Sequence, residues 1–242
     1  MQNVKILTAG DSSILIQFGN AIDPDINARI AATVQLMKEQ HIEGVVDIIP
    51  AFCSLLINYD PRVISYDEMK TRMEKILSVE IAAGARKKKV FEIPVCYGGA
   101  FGPDLPAIAE HAGLTEQEVI DIHTSTDYLI YMLGFLPGFT YLGGLDARIH
   151  TPRLANPRIR IPAGSVGIGG SQTGIYPMDS PGGWQLMGLT PVRTYDPDRE
   201  VPILVEAGDY IRFVPVDRTT YDRIKEEVEQ GTYQVRVVEG EV

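Results

Sequence analysis

The chain has little of what most small-molecule catalysts and binding modules declare openly. Only two cysteines, Cys53 and Cys96, occur in 242 residues, and they form no C-x-x-C pair. A disulfide framework is not expected, and a reducing cytoplasm is the simpler setting. The four histidines, His41, His111, His123 and His150, are scattered, so no metal site is expected. No Gly-Lys dipeptide occurs, which excludes a Walker A loop; G-x-S-x-G and S-x-x-K are missing too. No apolar run reaches the ~18 residues of a membrane-spanning helix. MQNVKILTAGDSS has no charged segment followed by an apolar run, so no signal peptide is expected. Basic charge is scarce: 22 Lys and Arg against 32 Asp and Glu give a net charge of −10. That argues against nucleic acid and anionic membranes as partners.

What is present is unevenly spread. Seven of the 23 glycines fall between Gly164 and Gly183, and the only tryptophan, Trp184, follows directly. Phe135, Phe139, Tyr141 and Tyr176 share that region. Glycine, proline and aromatics this dense suit neither helix nor strand interiors, so the stretch reads as packed, ligand-facing strands and loops.

The first third reads as α+β. Val4–Leu7 and Ser13–Phe18 are strand-like, with a turn at Gly10-Asp11. Asp23-Pro24 opens a helix whose Ile26, Ile30, Val34 and Met37 form one apolar face, and Gly44 ends that region. Val45–Ile49 and Ser54–Tyr59 are β-branched runs. Ser65 with Glu68 forms a capping box ahead of Met69, Met73, Ile76 and Leu77. Residues 82–89, AAGARKKK, read as a solvated linker. The domains are therefore placed at 1–86 and 87–242.

Beyond the linker, Val90–Val95 is a strand. Asp104 and Gly113 bracket a short helix, and Thr115 with Glu118 caps another that ends near His123. The runs Tyr128–Leu133, Arg158–Ile161, Val201–Glu206, Tyr210–Val216 and Tyr233–Val238 alternate with Gly/Pro turns. Thr219–Gln230 is a helix. Many short strands and few helices indicate a barrel or closed sandwich.

Candidate site residues follow from chemistry. The segment Gly164–Gly170 could cradle an anion on its backbone, but its spacing fits tight strand–turn–strand packing better. Arg148, Arg153, Arg158 and Arg160 crowd thirteen residues of an acidic chain, and Arg153 or Arg158 is a candidate ligand contact. Gln172, Tyr176, Ser180 and Trp184 suit a pocket wall, although a lone tryptophan more often anchors a core. His123 reads as a helix-end histidine rather than a base, and Cys96 as a small hydrophobe. No residue pattern names a catalytic set.

Longer motifs carry a resemblance. IPVCYGG at Ile93–Gly99, FGPDL at Phe101–Leu105, YMLGFLPGFTYLGGL at Tyr131–Leu145, IPAGSVGIGGSQTGIYP at Ile161–Pro177 and SPGGWQLMG at Ser180–Gly188 resemble the B-subunit family of 5-oxoprolinase. This family includes the sporulation histidine-kinase inhibitor Kip and subunit 1 of allophanate hydrolase or the urea carboxylase carboxyltransferase pair. The resemblance implies a small N-terminal α+β domain followed by a cyclophilin-like β-barrel. It implies a non-autonomous, cytoplasmic subunit of an ATP-dependent 5-oxoprolinase, with ATP bound by the complex. The implied partners are the C subunit of that enzyme, together with its lactam-hydrolysing A subunit. A histidine kinase is the partner under the inhibitor alternative, and urea or allophanate chemistry is the third. The pocket candidates it implies are Pro152, Arg153, Gly164, Ser165, Val166, Gln172, Tyr176, Pro177 and Trp184, which Arg158 joins from the arginine cluster.

Overall fold

The computed structural model describes residues 4–78 and 88–240. It divides into two compact units, Met1–Arg86 and Lys87–Val242. In the first, strands β1 (Lys5–Thr8), β2 (Ser13–Gln17), β3 (Val45–Pro50) and β4 (Ser54–Tyr59) form an antiparallel sheet in the order β1-β2-β4-β3. Helices α1 (Pro24–Gln40) and α2 (Tyr66–Ser78) complete its core. Alternation dictates the sheet: Ile14 and Ile16 of β2 and Leu55 and Ile57 of β4 are fully buried, and their neighbours are not.

The helix starts follow from their caps. Asp23 accepts the Asp25 and Ile26 N–H groups, and Pro24 takes the first helical position, where no N–H is needed. The Ser65 hydroxyl accepts the Glu68 N–H while the Glu68 carboxylate accepts the Ser65 N–H. Helix α1 stops at His41, which adopts a left-handed φ of 44°, three residues before Gly44.

The second unit is a closed barrel. Strands β5 (Lys88–Tyr97), β6 (Asp127–Leu133), β7 (Thr140–Gly143), β9 (Ser165–Gly169), β10 (Gln172–Ile175), β12 (Gln185–Leu189) and β13 (Tyr210–Pro215) pair in the ring β12-β9-β10-β7-β6-β13-β5. The ring closes where Gly188 and Leu189 of β12 pair with Tyr97 and Cys96 of β5. Strand β14 (Val237–Gly240) pairs with the first half of β5, and β8 (Arg158–Ile161) and β11 (Ser180–Gly182) form a separate two-stranded antiparallel sheet. Helices α3 (Leu105–Ala112) and α4 (Glu116–Thr124) pack Leu105, Ile108 and Val119 onto the barrel core, beside Ile93, Ile130, Leu142, Ile168, Met187 and Phe213. Helix α5 (Arg218–Glu229) buries Tyr221 and Ile224, and Tyr221 meets Phe101 edge-on.

Several sequence expectations are corrected. Residues 82–87 of the expected linker lie outside the described residues, but Lys88 and Lys89 begin β5. Lys88 pairs with Asp127 at 3.0 Å and lies over the Tyr210 ring, so it is not simply solvated. Val201–Glu206 is not a strand: one bridge, Tyr195 to Ile203, forms there. Val205 is buried while Val201, which would share its face in a strand, is exposed, so the segment does not keep strand alternation. Residues 233–236 also lie outside β14, which starts at Val237.

Candidate functional site

The glycine-rich segment is barrel wall. Val166 and Ile168 of β9, and Thr173 and Ile175 of β10, turn into the barrel core, so Gly167, Gly169 and Gly174 face outward. On that face lies Trp184. A β-carbon at Gly169 would run into the indole, and one at Gly174 would stand 3.1 Å from it and 2.6 Å from the Thr140 carbonyl oxygen. The glycines are there so that a flat ring can lie directly on backbone. The backbone of Ser165–Gly169 pairs with β10 on one side and β12 on the other, so it is not an open anion-binding loop.

Over this wall stands an aromatic cluster centred on Phe139. Tyr141, Tyr176, Trp184 and Phe135 meet the Phe139 ring at centroid distances of 4.9, 5.2, 5.5 and 5.7 Å. Ile161 and Leu186 complete it. Phe139, Tyr176 and Trp184 are nearly fully buried, Tyr141 is half-buried, and Phe135 is 63% exposed. Phe135 also has φ of 64°, a left-handed conformation rare for a bulky side chain. The cluster thus has a buried base and an open aromatic rim.

The four crowded arginines separate by partner. Arg148 pairs with Asp146 at 2.7 Å, and Arg160 with Asp179 at 2.6 Å. Arg158 Nη2 donates to Asp104 Oδ1 at 2.6 Å, and its Nη1 donates to the Trp184 carbonyl at 3.3 Å. Asp104 Oδ2 also accepts the Leu186 N–H at 2.6 Å. Asp104 therefore does not cap α3 with its side chain; it ties the start of that helix to β8 and β12. Arg158 is a clamp on the Trp184–Leu186 backbone, through Asp104 and the Trp184 carbonyl. Arg153 alone lies over the Trp184 ring, 5.7 Å from its centroid, with no carboxylate partner among the described residues.

The other sequence candidates sort accordingly. Gln172 shares the outward face of β10 with Gly174 and is paired to Gly169, which places it beside the Trp184 edge. Tyr176 is buried, and burial raises its phenol above the ordinary range, opposed by a hydrogen bond with the Trp184 backbone and by the Arg153 charge. Pro152 accepts Gln185 Nε2 on its carbonyl at 3.2 Å. Gly164, at φ 83°, has its N–H on the Tyr176 carbonyl and its carbonyl on the Thr190 N–H. Ser165 and Pro177 are buried, Ser165 accepting the Tyr176 N–H on its carbonyl, and Val166 belongs to the barrel core. Arg153, Tyr176 and Trp184 thus come together, with Gln172 on the same outer strand face; Arg158 reaches them from the Trp184 carbonyl, and its charge also acts on Tyr176, whereas Val166 does not join them. Asp104 went unrecognised because its partners are 54 and 82 residues away.

Inside the barrel lies a different polar arrangement. Tyr97 Oη is 2.8 Å from His123 Nδ1, and His123 Nε2 is 2.8 Å from Thr173 Oγ1. Thr173 Oγ1 donates to the Gly167 carbonyl at 3.0 Å. The hydroxyl has one proton, so it accepts from His123 Nε2–H, and Nδ1 accepts from the Tyr97 hydroxyl. Burial lowers the His123 pKa from 6.5 to about 3, and it pushes the Tyr97 phenol well above its ordinary value. Both are neutral at physiological pH. Burial also raises the Cys96 thiol. Neither His123 nor Cys96 is a poised base or nucleophile. Among the described residues, no three His, Cys, Asp or Glu side chains converge to hold a metal.

Comparison with known proteins places this architecture. Residues 4–205 match the family model for the carboxyltransferase domain, subdomain C and D. The chain is 45% identical over 229 residues to the B subunit of 5-oxoprolinase from Bacillus subtilis, spanning 90% of this chain and 95% of that protein. It is 41% identical over 216 residues to the B subunit of 5-oxoprolinase from Escherichia coli O157:H7, spanning 89% and 97%. Among solved structures, TTHA0988 superposes at a TM-score of 0.76 with 37% identity over 85% of this chain, which spans only 40% of that one. The Kluyveromyces lactis urea carboxylase shares the fold at a TM-score of 0.81, with 22% identity over 99% of this chain and 24% of that one.

Proposed function

The chain belongs to the 5-oxoprolinase B-subunit family, and from that premise we propose that it is the B subunit of a bacterial ATP-dependent 5-oxoprolinase. The complex opens the lactam of 5-oxo-L-proline to L-glutamate. A five-membered lactam resists hydrolysis, and activation of its amide oxygen by ATP supplies a leaving group. The observation that carries this reading is 45% identity to a protein of that name along nearly the full length of both. The same reading takes the barrel as cyclophilin-like, preceded by an α+β domain, and the protein as cytoplasmic.

The protein is not autonomous in this reading. Its buried histidine is neutral, its buried cysteine is held as a thiol, and its glycine-rich segment is spent on strand pairing. ATP is bound by the complex, in which the C subunit of the enzyme, together with its lactam-hydrolysing A subunit, are the partners. This chain's own contribution is the outer barrel face around Arg153, Gln172, Tyr176 and Trp184. The purified chain should show no 5-oxoproline-dependent ATP hydrolysis, and should gain it when mixed with both partner proteins. Turnover by the chain alone, or none from the full mixture, overturns the proposal.

A further inference from the structure

We propose that Arg153, held over Trp184, is the anchor of a subsite for the carboxylate of a small organic monoanion, and that this chain forms the subsite by itself. Charge is unevenly balanced around it. In a chain of net charge −10, three of four neighbouring arginines are neutralised by Asp146, Asp104 and Asp179. Arg153 is exposed and has no such carboxylate among the described residues.

Its position is nevertheless fixed. Thr151 and Gly170 exchange backbone hydrogen bonds at 3.2 and 2.8 Å, and the Leu154 N–H donates to the Gly183 carbonyl at 2.7 Å. Gln185 Nε2 holds the Pro152 carbonyl between them. The backbone on both sides of Arg153 is therefore pinned to the barrel wall, and its guanidinium lies within cation–π reach of the indole. With no carboxylate partner among the described residues, its N–H groups are left for an oxyanion, which a guanidinium can grip with two parallel hydrogen bonds. Preorganisation of this kind lowers the cost of binding, because the side chain is not ordered anew.

The surroundings select the ligand class. Tyr141 and Tyr176 both meet the Phe139 ring, at 4.9 and 5.2 Å, and Tyr176 meets Trp184 at 6.0 Å, so the two phenols border the same spot. The charge of Arg153 opposes the effect of burial on each phenol, joined at Tyr176 by that of Arg158. Beyond them the rim is aromatic, ending in the exposed Phe135. One unneutralised cation bordered by aromatic rings matches a single negative charge on a compact organic body. A polyphosphate would need further cations, and Arg148, Arg158 and Arg160 are already committed.

The subsite rests on the 5-oxoprolinase reading only for the choice of probe. Trp184 is the sole tryptophan, so its fluorescence reports this spot and no other. The full chain, without partner proteins, is titrated with 5-oxo-L-proline, with its carboxamide, and with chloride at equal ionic strength. A saturable change is expected with the acid alone. Arg153→Gln should weaken it at least tenfold, and Arg153→Lys should retain part of it. A flat curve with the acid, equal binding of the carboxamide, or an unchanged curve in Arg153→Gln overturns the subsite. If the assembled complex turns over 5-oxoproline with the same KM in Arg153→Gln, the subsite falls and the enzymatic reading stands. If Arg153-dependent binding occurs but the assembled complex turns nothing over, the subsite stands and the enzymatic reading falls.

Discussion

The inner and outer faces of the barrel wall use polar groups in opposite ways. Inside, Tyr97, His123, Thr173 and the Gly167 carbonyl form one directed chain in which each proton has an acceptor. Outside, β9 and β10 carry glycines, and the segments that connect the strands lay over them an aromatic cluster and a guanidinium with no countercharge among the described residues. A polar group deep in a core is tolerated only when satisfied, because an orphan costs its full desolvation. A cation at the rim can wait for a ligand, because water serves it meanwhile. The inner chain therefore belongs to the fold, and the outer guanidinium is the group to which chemistry can be added. Gly167 illustrates the division within one residue: its carbonyl ends the inner chain, and its missing side chain admits the Gln185 carbonyl on the outer face.

The sharpest way to break the comparison is to remove the outer anchor. Trp184→Ala should cost about 3–5 kcal/mol, the usual range for a large aromatic lost from a packed site. Tyrosine fluorescence during denaturant unfolding would measure it. A cost below ~1 kcal/mol would mean that the outer cluster is not a true core.

Acid tests the inner face. In the folded chain His123 titrates at about 3, against 6.5 for an ordinary histidine. Between those values the unfolded chain binds a proton that the folded chain does not. Stability therefore rises with pH across this window and falls as acid is added. At pH 5 the loss relative to pH 7 is roughly 2 kcal/mol, at ~1.4 kcal/mol per unit below 6.5. Trp184 emission follows the barrel's transition, and His123→Gln should flatten the acid limb whatever its cost at pH 7. The same slope in that variant would place the acid sensitivity elsewhere.

The smallest stability effect belongs to Arg153. Arg153→Gln loses an exposed cation–π contact of about 0.5–1 kcal/mol at most. Its melting temperature should stay close to that of the parent, and a large drop would move Arg153 from the ligand side of the comparison to the structural side.

Legibility in the sequence followed the range of the interactions. The starts of α1, α2 and α4 were readable because Asp23, Ser65 and Thr115 find their partners within three residues. The strands β2 and β4 were readable because one face of each is buried and the other is not. Strands β9 and β10 disguise themselves, because positions that would show alternation are glycines, Gly169 and Gly174 making room for Trp184 and Gly167 for the Gln185 carbonyl. Asp104 looked like a helix cap, but its carboxylate is spent on Arg158 and Leu186, far along the chain. Nothing local distinguishes Arg153 from Arg158, either. Only the folded chain shows which of them is already paired.

Strand β5 sets the timetable by which the barrel is made. Its Val90–Val95 segment pairs in parallel with Tyr210–Pro215, about 120 residues later, and its Cys96-Tyr97 end pairs with Gly188 and Leu189. The first strand of the barrel to leave the ribosome is thus the last to be fully flanked. Until residue 215 has emerged β5 lacks its β13 partner, and until residue 240 has emerged its first half still lacks β14, so an edge rich in apolar side chains stays unprotected. Long-range, parallel closure of this kind is slow and prone to mispairing on the way. The first unit, whose strand partners all lie within its own 86 residues, meets no such delay. Ribosome-bound chains truncated just before Tyr210 would therefore hold a formed first unit beside an open, aggregation-prone sheet.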